Sequence, residues 1–68
     1  MPRWAYIYEH PDTHPVRDRT VLESRSQTTS LVPVPSTVDA PQAARRLIED
    51  DAVESIELCG GFTLADAA

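Results

Sequence analysis

Ala40, Ala43, Ala44, Leu47 and Ile48 recur at i, i+3, i+4, i+7 and i+8, which is one face of an α-helix. Nothing else in the chain restricts its fold as tightly, because a short apolar run stands on each side of this stretch. Asp39 is placed to cap the helix, Gln42 follows three residues later as in a capping box, and Pro41 falls in the first turn, where proline is tolerated. The opposite face carries Arg45, Arg46, Glu49 and Asp50, so the spacing predicts an amphipathic helix from Ala40 to about Asp51.

Before the helix, residues 29–34 (TSLVPV) read as a strand. Pro33 removes a ladder donor and so confines that strand to an edge or places itself near the strand's end. After the helix, residues 53–59 read as another strand, with Ile56 and Leu58 on one face and Ser55, Glu57 and Cys59 on the other. Strand, helix and strand at this spacing predict a βαβ unit with parallel strands and a right-handed crossover. Residues 3–8 (RWAYIY) add a strand with Trp4, Tyr6 and Tyr8 on one face and Ala5 and Ile7 on the other. Residues 9–19 hold two prolines and no period, so they form a loop. Thr20–Glu23 is a short strand or extended passage, and residues 24–30 are polar, as a turn or an edge segment would be. The expected fold class is α/β, a single small domain over residues 1–68.

A chain of 68 residues buries only ~60% of the surface its unfolded form exposes, and one cysteine cannot staple it internally. A homo-oligomer is the expected way to add core. The net charge is −5, with 11 acidic residues against 6 basic ones, all arginine, which argues against partners that demand a basic footprint: nucleic acid and anionic membrane surfaces. The start of the chain has no signal-peptide h-region, and no apolar run approaches bilayer length, so the expectation is a cytoplasmic protein.

Two stretches together, Trp4-Ala5-Tyr6-Ile7-Tyr8-Glu9-His10-Pro11 with Arg19-Thr20-Val21 and Ile56-Glu57-Leu58-Cys59-Gly60-Gly61-Phe62, resemble a family of small bacterial proteins known as a domain of unknown function. The resemblance implies a fuller helix and a last strand beyond Phe62. It implies no chemistry. Here Thr63 reads as the N-cap of a helix with Asp66 at the capping-box position, and that helix stops at Ala68, so a truncated C-terminal helix completed by a partner chain is expected.

Four places could carry chemistry. At the Cys59-Gly60-Gly61 hinge, glycines at a strand's carboxyl end admit a ligand, and the following helix start at Thr63 offers N–H groups; Cys59 itself could act as a nucleophile, although Gly-Gly is often a turn and Cys a small buried hydrophobe. Glu57, mid-strand, is solvated, paired with an arginine, or functional. Residues 9–14 (EHPDTH) offer His10 and His14 as acid–base groups beside Glu57. Pro11 and Pro15 remove the helical spacing that makes paired histidines convincing metal ligands, and no metal or other cofactor is expected. Pro2, as an N-terminal amine on a strand, resembles the tautomerases, which place a helix where this chain has a loop.

The leading expectation is a small-molecule-binding or acid–base enzymatic subunit. Its catalytic candidates are Glu57, His10 and Cys59, its ligand-binding candidates Gly60, Gly61 and Thr63, and the 9–14 loop forms its rim. The rival is a non-catalytic interaction protein whose aromatic strand is an interface.

Overall fold

Alternation in the first strand sets the layers. In the computed structural model, which describes residues 2–59, β1 (Arg3–Glu9) turns Ala5 and Ile7 into the core with no exposed surface, and leaves Trp4, Tyr6 and Tyr8 half-buried on its other face. β2 (Thr20–Glu23) and β3 (Thr28–Val34) form an antiparallel hairpin. A 3₁₀ turn over Thr37–Asp39 leads into α1 (Ala40–Asp51), and β4 (Ser55–Cys59) follows. The four strands make one mixed sheet in the order β2-β3-β1-β4, an α/β fold. No helix among the described residues is long and apolar enough to cross a membrane.

β3 and β4 are both parallel to β1 and lie on either side of it, so the β3-α1-β4 unit carries the chain across β1 rather than to the neighbouring position. Every parallel strand therefore ends at the same edge: Glu9 pairs with Val34, and Tyr8 with Cys59. Pro33 fits near the end of β3 for a geometric reason. The Val34 carbonyl accepts from His10 N–H on the β1 side, so Pro33 directs its missing donor to the β2 side. There β2 has already ended, its last partner being Leu31. An interior strand thus carries a proline without losing a ladder bond.

The core lies between this sheet and α1. Ile7, Val32, Val34 and Leu47 are fully buried, joined by Ala5, Ala40, Ala43 and Val53. Two features of the helix differ from the sequence expectation. Ile48 is 56% exposed, because it lies about 100° further round the helix than Leu47, past the buried stripe of Ala40, Ala43 and Leu47. Asp39 occupies the N-cap position but its side chain caps nothing; the chain is already helical there, and Ser36 caps the preceding 3₁₀ turn by accepting from Val38 N–H. The helix stops at Ala52 in the left-handed conformation (φ 54°, ψ 37°), with Val53 N–H donating to the Leu47 carbonyl at 3.1 Å. The expected C-terminal helix lies outside the described residues.

Candidate functional site

The chain leaves β1 and β3 at the shared carboxyl edge, and the two segments that follow enclose a cleft. One is the loop of residues 10–19; the other is the 35–39 connection with the first two turns of α1. The cleft has a volume of about 290 Å³ and is lined by Thr13, His14, Pro15, Val16, Arg19, Pro35, Asp39, Gln42, Ala43 and Arg46. Crevices outside the carboxyl ends of parallel strands are where open α/β sheets bind ligands.

The loop that forms one wall is built by local hydrogen bonds. His10 N–H extends the ladder to Val34, Thr13 Oγ1 donates to the His10 carbonyl at 2.6 Å, and Asp12 turns the chain at φ 66°, a conformation Asp tolerates. His14 then opens a helix-like turn. Its Nδ1 accepts from Val16 and Arg17 N–H, its carbonyl accepts from Asp18 N–H, and its own N–H donates to Asp18 Oδ2 at 2.8 Å. Arg17 clamps the same carboxylate, and this ion pair, with the His14 N–H, holds Asp18 below the usual carboxylate range. At the far end Arg19 reaches back to Asp51 at 2.5 Å, tying the loop to the last residue of α1 across 32 positions of sequence. Glu9 closes the base by accepting from Thr37 N–H at 3.2 Å.

The residues singled out from sequence are distributed differently. Glu57 pairs with Tyr6 on the sheet face opposite α1 and is exposed. β4 is an edge strand among the described residues, which favours the solvated reading of that carboxylate. His10 lies past the end of β1, four residues beyond Glu57's partner, so at ~3.3 Å per residue the two stand roughly 13 Å apart along the strand direction. Glu57 and His10 are not brought together. Of the two histidines His14, not His10, lines the cleft, and it does so on the α1 side, away from Glu57. Cys59 ends β4 beside Tyr8; Gly60, Gly61 and Thr63 lie outside the described residues. Among the described residues no three His, Cys, Asp or Glu side chains gather as metal ligands.

Sequence reasoning passed over Arg19, Gln42 and Arg46. A signal for two of them was available: Asp39, Gln42, Ala43 and Arg46 fall at i, i+3, i+4 and i+7, a second helix stripe beside the buried one. Arg19 could not be found this way, because its position depends on a loop.

A family model matches residues 2–68, and its description is a family of unknown function, DUF6506. The chain belongs to DUF6506. No curated protein and no solved structure matches it. The DUF6506 chain therefore has to be interpreted from its own geometry, and its cleft is the feature in which the 10–19 loop and α1 converge.

Proposed function

We propose that this DUF6506 domain binds a small molecule in the cleft between the 10–19 loop and α1. The observation that carries the reading is the convergence of Arg19, Arg46, His14 and Gln42 around an apolar wall of Pro15, Val16, Pro35 and Ala43, at the carboxyl edge of the parallel strands. The same edge was expected to hold a site, but around Glu57, Cys59, Gly60 and Gly61; the cleft lies on the other side of β1. The test is a screen of small acids, amines and alcohols against the isotope-labelled full chain by amide NMR. Saturable shifts at Val16, Gln42, Ala43 and Arg46 support the reading, and a screen that moves none of them refutes it.

One observation favours a second reading. α1 packs on one face of the sheet only, and the other face carries Trp4, Tyr6, Tyr8 and Leu31. On that reading a second copy of the chain covers the aromatic face. Light scattering decides it: a dimer that Trp4→Ala dissociates supports self-association, and a folded monomer at high concentration rejects it.

A further inference from the structure

Among the free hydrogen-bonding groups of the cleft, donors outnumber acceptors, and this restricts what can fill it. His14 Nδ1 is held as an acceptor by two backbone N–H groups, so the neutral ring carries its proton on Nε2 and offers a donor there. Arg46 has no ion-pair or hydrogen-bond partner among the described residues, and Gln42 has none either. Arg19 uses Nη1 on Asp51 and Nε on the Pro15 carbonyl, which leaves Nη2. The Thr13 hydroxyl donates to the His10 carbonyl and keeps only acceptor capacity. Asp39 is the one carboxylate among the lining residues; of the two guanidinium groups there, Arg19 is paired with Asp51 and Arg46 is not.

From this donor surplus we infer that the cleft takes a small organic carboxylate, its charged end on the Arg46 guanidinium and its hydrocarbon end against Val16, Pro35 and Ala43. The inference rests on the binding function proposed above and names its ligand class. An arginine fork matches a carboxylate by two parallel N–H···O bonds. The apolar wall gives a hydrocarbon body somewhere to lie, which inorganic phosphate would not use.

The experiment titrates the labelled full chain with butyrate and benzoate, with butanol and benzyl alcohol as neutral counterparts, and with inorganic phosphate, all at constant ionic strength. A charge-assisted hydrogen bond is worth about tenfold in affinity or more. Each acid is therefore expected to bind at least about tenfold more tightly than its alcohol, and Arg46→Gln is expected to remove that preference. If the alcohols match the acids, or Arg46→Gln changes nothing, the carboxylate inference fails and the binding site stands. If phosphate outcompetes both acids, the inference also fails. If no compound shifts a cleft residue, the site itself is refuted.

Discussion

Replacing Arg19 by Gln should destabilise the domain more than replacing its ion-pair partner Asp51 by Asn, although both remove the same salt bridge. The helix explains the asymmetry. Its last three residues are Glu49, Asp50 and Asp51, and its last turn holds no basic side chain, so three carboxylates face the negative end of the helix dipole. Arg19, arriving from the loop, supplies the missing cation at 2.5 Å. The pair is part-exposed, with 20% of the Arg19 side chain and 36% of Asp51 accessible, so its own contribution belongs to the surface range of ~0.2–1 kcal/mol. Arg19→Gln loses that and also the favourable interaction of the Arg19 cation with the negative helix end, worth ~0.3–1 kcal/mol, for a total of about 0.5–2 kcal/mol. Asp51→Asn loses the pair but relieves the dipole, so the two effects offset to within about 0.5 kcal/mol. Urea unfolding followed by circular dichroism measures both variants and the double variant. In thermal melts the Arg19 variant should fall by roughly 2–16 °C, given the size of the domain. At ~1 M salt, where screening acts over about 3 Å, the gap between the two should narrow. Equal losses in the two single variants would show that the helix terminus plays no part, and a larger loss for Asp51→Asn would refute the reasoning outright.

Other outcomes follow from the same packing. Leu47→Ala should cost about 2–5 kcal/mol, whereas Ile48→Ala, one position further on and 56% exposed, should stay within about 0.5 kcal/mol; paired denaturation curves read the contrast. Ala52→Gly should stabilise the domain by about 0.5–1 kcal/mol, since the left-handed φ of 54° penalises Ala by more than glycine's extra unfolded-state freedom takes back. Asp18 is held below the ordinary carboxylate range by Arg17 and the His14 N–H, so its contribution is present above that range and disappears as pH falls through the depressed value. Asp18→Asn should therefore flatten the acid limb of a stability-versus-pH profile, and an unchanged limb would contradict this.

The elements with a clear period could be read before the structure. α1 begins and ends where the alanine–leucine spacing places it, and the faces of β1 divide as Ala5 and Ile7 against the aromatics. Pro33 told of a strand end correctly. What stayed hidden depends on lateral position, which alternation does not encode. Ile56 and Leu58 mark the core face of β4 without saying that β1, and not β3, is the strand beside it. For the same reason Glu57 and His10, close in a list of polar residues, stand at different levels of the sheet and do not meet. Asp39 was legible as a position but not as a bond, because the chain enters the helix through a 3₁₀ turn that Ser36 already caps. The cleft was the least visible part. One wall is a proline-rich loop whose shape comes from His14, Asp18 and Arg19 bonding to the backbone and to Asp51, contacts with no periodic signature.

The central claim is that this cleft, and not the Glu57 side of the sheet, is where DUF6506 meets its ligand. Amide shift mapping of the labelled chain with butyrate and benzoate tests it most directly. The account predicts saturable shifts at Val16, Arg19, Gln42, Ala43 and Arg46, all residues of the cleft wall. Shifts gathered instead at Glu57, Leu58 and His10, with the cleft residues unmoved, would contradict it.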